Sequence, residues 1–390
     1  MISPRRAWPT LAAAALLAVA SIGYAAGPEN ALAGVLEAID ANRLDLATQR
    51  VEALIAEHPN FRLAHLIRGD LLMARSRPLQ TFGNVPKTVP REKVEDLRAE
   101  ALLRLRAARD RPNAEQVPRY VLQMHAEQKY ALVVDSRRAR LYLFENVGGR
   151  PQYVADYYVT LGKNGVEKTR EGDQKTPIGV YHVTANLPRQ KLADFYGAGA
   201  FPINYPNAWD KRLGRDGHGI WLHGTPSDTY SRPPRASDGC IVLANADLEA
   251  VSKNLQIGLT PVIIADDIEW TDAAALESER KGLAEAFESW RAAWENRDSD
   301  KYLGYYAARF KSDDQDLAVW SERKRKVNAS KSWIKVAATR LTMLRYPRES
   351  FVVVSFDQDY RSSNLSNTMR KRQYWIKEDG RWQILYEGGE

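Results

Sequence analysis

One cysteine, Cys240, stands among 390 residues. A lone thiol cannot close an internal disulfide, and it excludes zinc or iron–sulfur centres built on several cysteines. In an oxidising compartment such a thiol has to be buried or used. Histidine is scarce as well. His58, His65, His125, His182, His218 and His223 form no His-x-x-x-His pair or similar ligand spacing, so no metal and no cofactor is expected. Long apolar runs are missing apart from Leu11 to Ala20, which follows Arg5 and Arg6 and precedes the small residues around Gly23-Tyr24-Ala25. That order reads as a secretory leader over residues 1–25, too short for a span of about 20 residues. No cysteine follows the run to take a lipid, and no downstream segment is apolar enough to cross a bilayer. The expected mature chain is exported and periplasmic, with no stable membrane span.

The chain has 56 lysines and arginines against 49 aspartates and glutamates, a net charge of +7. Export argues against nucleic acid as the reason for that excess. Surface solubility accounts for it, and an anionic wall polymer is the specific partner that fits.

Three regions follow the leader. Residues 29–112 read as helical, with Leu32, Val35, Leu36 and Ile39, then Ala47, Val51, Leu54 and Ile55, at helical spacing. His58-Pro59-Asn60 breaks the pattern and Leu63 to Ala74 resumes it. This helix–turn–helix is weakly similar to a tetratricopeptide repeat. About one and a half units leave an apolar face open, which a homodimer contact would cover. Pro78 to Pro90, with three prolines and one glycine, is a connecting loop, and Glu92 to Arg109 is a charged amphipathic helix. Tyr130 to Asp135, Arg140 to Glu145, Tyr153 to Thr160, Gly179 to Thr184 and Pro261 to Ala265 alternate like strands. Beyond Ile268, Ala273 to Asn296 carries Leu283, Phe287, Trp290 and Trp294 on one helical stripe. Tyr302, Tyr305, Tyr306 and Phe310 fit a second, shorter helix. Strands are then expected at Trp333–Val336, Arg340–Arg345, Phe351–Gln358, Met369–Lys377 and Trp382–Glu387. The expected fold class is α+β and multidomain.

Chemistry concentrates between His223-Gly224-Thr225 and Ser237-Asp238-Gly239-Cys240. A nucleophilic thiol needs a base, and His223 lies 17 positions upstream of Cys240. Acyl transfer also needs donors for an oxyanion, and the Gly239 and Cys240 amides are candidates. From spacing alone a buried, unreactive cysteine is the stronger reading.

Four blocks occur in order: Lys175-Thr176-Pro177-Ile178-Gly179-Val180-Tyr181, Phe201-Pro202-Ile203-Asn204-Tyr205-Pro206, Gly219-Ile220-Trp221-Leu222-His223-Gly224-Thr225 and Ser237-Asp238-Gly239-Cys240. Together they resemble the L,D-transpeptidase (YkuD) catalytic domain over about residues 128–266. Two departures stand out: Asp238 replaces a second histidine, and Val242 occupies a position that is often arginine. The C-terminal pattern over about 273–390, with Trp290-x-x-x-Trp294, Asp298-x-Asp300-x-Tyr302 and Tyr305-Tyr306, resembles an NTF2-like cone. Its aromatics are read as core, and it should position the enzyme without doing chemistry. A chain ending near Asp272 is accordingly expected to keep thiol reactivity.

The resemblance implies a cysteine acyl-transfer enzyme acting on peptidoglycan stem peptides, with Cys240 as nucleophile and His223 as base. Ser237 either orients His223 or caps a turn. Asp238 faces His223, faces Cys240, or pairs with the Arg232–Arg235 loop. Arg232 and Arg235 suit a stem carboxylate. His218, Tyr205, Trp209 and Trp221 are candidates for the groove lining. Attack on a tetrapeptide stem would leave a thioester. An amine acceptor then gives a cross-link, and water gives a tripeptide. The four blocks put transpeptidation slightly ahead. The three-part order resembles the cell-shape-determining L,D-carboxypeptidases and pulls toward hydrolysis. A wall-binding scaffold without activity is the third reading.

Overall fold

In the N-terminal third, apolar positions three and four apart fold into helices with one buried face each. A computed structural model describes residues 28–389 apart from 80, 87, 111, 114, 313 and 314; the leader expected over 1–25 lies outside them. Helices α1 (Pro28–Asp40), α2 (Leu44–Glu57), α3 (Arg62–Ala74) and α4 (Arg91–Arg109) bury Leu32, Val35, Val51, Leu54, Leu63 and Ile67 in one cluster. The proline-rich connection between α3 and α4 is tied down by buried Asp70, which accepts from the Gly83 amide at 2.6 Å and the Asn84 amide at 2.8 Å. α4 packs against both α1 and α3. Part of the apolar face left open by the sequence is covered from within the chain, because Tyr230, distant in sequence, packs into this cluster.

The middle region is β-rich. A five-stranded sheet runs in the order Arg150–Tyr158, Arg140–Val147, Tyr130–Asp135, Pro261–Ala265 and Gly179–His182. Only the Tyr130–Asp135 and Pro261–Ala265 pair is parallel. A second sheet contains Ile241–Val242, Trp221–His223, Gly199–Pro202 and Leu187–Pro188 in that order. Leu132, Val134, Leu143 and Val262 of the first sheet share one buried cluster with Phe201, Leu222 and Ile241 of the second. That packing gives the second sheet a rigid backing.

The C-terminal region forms a seven-stranded sheet in the order Gln315–Asp316, Tyr306–Ser312, Arg381–Gly389, Leu365–Glu378, Phe351–Ser362, Ile334–Arg345 and Val121–Gln123. Helix α5 (Ala273–Glu295) lays Leu283, Phe287, Trp290 and Trp294 on it. The Trp290 indole donates to Tyr306 Oη at 3.3 Å.

Three details differ from the sequence expectation. The helix at Ser299–Leu303 ends before Gly304, so Tyr306 and Phe310 lie on a strand that pairs in parallel with Arg381–Gly389. A spacing of four fits one helix face and one strand face equally, which is why the period misled. The two short strands expected between Trp333 and Arg345 are one, kinked where the register shifts between Thr339 and Thr342. A helix at Leu317–Ala329, capped by Asp316 accepting from the Val319 amide at 3.0 Å, was not anticipated. Its face is mostly charged and only Trp320 and Asn328 are buried, so it lacks an apolar stripe.

The middle and C-terminal regions interlock. Val121–Gln123, which precedes the middle region's first long strand, is the edge strand of the C-terminal sheet. Leu122 is 1% exposed in the C-terminal core. In the other direction, Trp209 stacks edge-on against Phe351 at 4.7 Å and Tyr374 at 5.3 Å, and its indole donates to Glu349 Oε1 at 3.1 Å. Arg348 holds Glu167 at 2.9 Å and also pairs with Asp266.

Candidate active site

The only parallel pairing within the second sheet sets Cys240, which leads into Ile241–Val242, beside the strand that carries His223. Trp221–His223 runs beside Ile241–Val242 with Leu222 opposite Ile241 and His223 opposite Val242. Leu222 and Ile241 point into the core, both fully buried. By strand alternation, the residues flanking them turn to the opposite face.

The turn that presents the thiol is built from side-chain caps. Ser237 Oγ donates to the Cys240 carbonyl at 2.7 Å and accepts from the Gly239 amide at 3.2 Å. Ser237 is therefore the turn cap, and the alternative of orienting His223 falls away. The Gly239 amide is engaged by that serine, which corrects the expectation of two unencumbered amides at an oxyanion. Thr176 Oγ1 bridges the turn to its neighbour, donating to the Gly239 carbonyl at 2.9 Å and accepting from the Gly162 amide at 2.9 Å. Gly239 has φ +122°, and a Cβ there would fall 2.7 Å from the Lys175 carbonyl oxygen. Glycine is required by both conformation and space.

His223 is 1% exposed. Its Nδ1 lies 2.7 Å from the Gly224 carbonyl oxygen. A carbonyl can only accept, so Nδ1 carries the proton and Nε2 keeps the basic lone pair. Tyr196 and Phe195 flank the imidazole, with ring centroids 5.2 and 5.7 Å away, and Tyr196 also meets Trp221 at 5.0 Å. Asn245 ties this wall to the His-Gly-Thr segment, accepting from the Ala198 amide at 2.8 Å and donating to the Thr225 carbonyl at 2.9 Å. Phe195, Tyr196, Thr176 and Asn245 escaped the residue-by-residue reading. Thr176 lay inside a recognised block, whereas the other three had no motif to mark them.

Both partners are held in their neutral forms. Burial pushes the Cys240 thiol above its ordinary range, and Asp238 pushes the same way; the Trp221 amide, Arg232 and Lys168 act in the opposite sense. Burial pulls the His223 imidazole down to about 4, opposed by the Gly224 carbonyl and reinforced by Arg232. At neutral pH the resting pair is thiol and imidazole, and the Sγ–H donates to the Gly219 carbonyl at 3.4 Å. Alkylation of Cys240 by iodoacetamide should therefore rise with pH into the alkaline range. A rate already on its plateau at about pH 5, as an imidazolium–thiolate pair gives, would contradict this.

The remaining candidates fall in distinct places. Asp238 pairs with Lys163 at 3.0 Å, both exposed, which none of the three readings anticipated. Arg232 extends its guanidinium over Phe195 at 5.4 Å and donates from Nη2 to the Ala236 carbonyl; its Nη1 is buried without a hydrogen-bond partner. Arg235 is exposed beside Gly165. His218 is exposed, 3.6 Å from Glu171. Trp221 stands on the same strand as His223. Tyr205 is buried in the core, with its hydroxyl donating to the Asp216 carbonyl at 2.9 Å, and Trp209 belongs to the C-terminal interface. Those two leave the proposed groove wall, which Phe195 and Tyr196 take over.

Among the described residues no group of three or more histidines, cysteines or acids is placed to hold a metal ion, and no helix is long and apolar enough to cross a membrane. A cavity of about 230 Å³ between Val180–His182 and the C-terminal sheet has neither Cys240 nor His223 in its lining.

This two-sheet domain, with Cys240 just before one strand and His223 on the strand beside it, is similar to an L,D-transpeptidase catalytic domain. Residues 129–264 match the model of that domain, and residues 282–388 match the Cds6 C-terminal NTF2-like domain. The chain carries both. It is similar to YafK of Escherichia coli K12, a protein bearing an L,D-transpeptidase name, at 27% identity over 133 residues. That match covers 34% of this chain and 49% of YafK, so the chain spans about half the length of the curated relatives it matches. Among solved structures it is similar to Bdellovibrio bacteriovorus Bd1075, at 29% identity and TM-score 0.61 over 70% of this chain and 98% of that one. It is also similar to the helical cell shape determining protein Pgp2 of Campylobacter jejuni, at 25% identity and TM-score 0.59 over 70% and 95%.

Proposed function

We propose that this chain is a periplasmic peptidoglycan enzyme that cleaves the L,D bond of a tetrapeptide stem through a thioester on Cys240. The observation that carries it is the parallel strand register that sets His223 opposite Val242, two residues after Cys240, with a buried imidazole whose Nε2 keeps its lone pair. His223 takes the thiol proton as sulfur adds to the carbonyl, and returns it to the departing amine of the terminal D-alanine. The Cys240 amide serves as an oxyanion donor. Arg232, with an unpaired buried Nη1, supplies positive charge beside the sulfur.

Water completes the cycle in this reading, releasing a tripeptide stem. Two observations favour water over an amine. The likeness to Bd1075 and to a cell shape determining protein extends over 70% of the chain, well beyond the catalytic domain. Tyr205 and Trp209, two of the three aromatics expected with Trp221 to wall a dry acceptor groove, are packed elsewhere. Incubation with a purified disaccharide-tetrapeptide should yield tripeptide and free D-alanine by mass analysis. Exchanged or dimeric products under saturating D-amino acid would establish transpeptidation instead. Unchanged tetrapeptide would remove the catalytic reading and leave the scaffold.

A further inference from the structure

The loop joining base to nucleophile, residues 224–234, is gripped by a part of the chain with no catalytic role of its own. Tyr230 leaves the catalytic domain and enters the helical cluster, where its ring lies 4.4 Å from Phe61 and 4.9 Å from His58. The next residue, Ser231, donates to Glu100 Oε1 of α4 at 2.7 Å. Glu100 is 1% exposed and is held in turn by Arg104, one turn on, at 3.0 and 2.8 Å. The Arg104 guanidinium lies 3.8 Å from the Tyr158 ring centroid. Tyr158 and Thr160 close the circuit from the catalytic side, donating to the Arg232 carbonyl at 3.0 and 2.9 Å. Three consecutive residues are thus fixed, Tyr230 and Ser231 by the helices and the Arg232 backbone by the sheet, and the Arg232 guanidinium lies over Phe195, which flanks His223.

Arg232 is anchored at its carbonyl by Tyr158 and Thr160. Its guanidinium lies over Phe195 and donates to a backbone carbonyl of its own loop. The charged and titratable groups acting on Cys240 are Arg232 and Lys168, which favour the thiolate, and Asp238, which opposes it, with His223 on the adjoining strand. Lys168 is fixed independently by Asp173 at 2.9 Å. Of the two cations, Arg232 is the one that directly follows residues held by the helical region.

We propose that the N-terminal helices are a positioning element for the acyl-transfer site: by holding Tyr230 and Ser231 they set Arg232 against Cys240. This rests on the reading of Cys240 as the nucleophile. A merely structural role for Tyr230 would alter stability without altering the thiol's acidity, and that separates the two.

The test uses the full chain, where iodoacetamide can report only Cys240 because no other cysteine exists. Rates are followed from about pH 6 to about pH 10, together with melting temperature. Tyr230→Ala and Ser231→Ala should each slow alkylation at neutral pH by about three- to ten-fold and move the pH midpoint upward, the direction expected when a nearby cation withdraws. Tyr230→Phe should restore the wild-type profile, since the ring contacts remain. In an Arg232→Ala background, adding Tyr230→Ala should change the rate by less than about two-fold, because the route already ends at the missing guanidinium. An unshifted midpoint in Tyr230→Ala, or its full effect persisting without Arg232, overturns the inference. If Tyr230→Ala does not fold, Ser231→Ala decides the same question. Wild-type alkylation that matches a free thiol and ignores His223→Ala would overturn the proposed function and this inference together.

Discussion

Cys240→Ala should leave no measurable cleavage of tetrapeptide stems, the largest loss available in this protein. The reaction proposed needs a sulfur that forms and then surrenders an acyl bond, and the chain offers no other thiol. Cys240→Ser should fall by about 10³-fold or more, because a serine hydroxyl is far less acidic and the buried imidazole is a weak base for it. With His223 held down to about 4, deprotonating serine is harder still. His223→Ala should lose nearly as much as Cys240→Ala, and the double variant little more, since the two act as one unit. Liquid chromatography with mass detection on a disaccharide-tetrapeptide checks all three. Turnover of Cys240→Ala within about ten-fold of wild type would reject a covalent mechanism.

A chain ending after Asp272 should fail to fold, or should melt at least about 10 °C lower, contrary to what the sequence suggests. The cut removes Ile334–Arg345 and strands Val121–Gln123 without its partner. It exposes Leu122, whose burial contributes about 2–3 kcal/mol, and uncovers the indole of Trp209. It also breaks the Arg348 pairs to Glu167 and Asp266 and the hydrogen bond from Thr342 Oγ1 to Gln128 Oε1 at 2.9 Å. Light scattering and thermal melts of the shortened protein test this. A soluble product melting within about 3 °C of the full chain, with wild-type alkylation of Cys240, would show that the C-terminal region is separable after all.

How much of this was readable beforehand differs by element. The strands Tyr130–Asp135 and Pro261–Ala265 and helix α5 follow the boundaries that alternation and helical period suggest, within a residue. Their neighbours are apolar enough that the local pattern and the packing demand the same structure. Tyr306 and Phe310 were misassigned because four-residue spacing satisfies both periods, and only the parallel contact with Ile384 selects the strand. Val121–Gln123 carried no signal at all. Three residues are too few for a pattern, and the pairing strand lies more than 200 positions away.

At the site, Cys240, His223 and Gly239 were marked as candidates by residue type and then by the four blocks that resemble the transpeptidase domain, because a thiol, an imidazole and a glycine able to take positive φ are features that few residue types offer. The sequence likewise determined the number of thiols, the excess of positive charge and the order of the three regions. Only the tertiary structure decided that Ser237 caps the turn, that Asp238 turns to Lys163, that Tyr205 and Trp209 are committed to packing and that Phe195 and Tyr196 wall the imidazole. It alone joined Tyr230 to helices more than 100 residues upstream. The division has a physical cause. Bond-making capacity belongs to a side chain wherever it sits, whereas acidity, orientation and exposure are set by neighbours that folding brings together from distant parts of the chain.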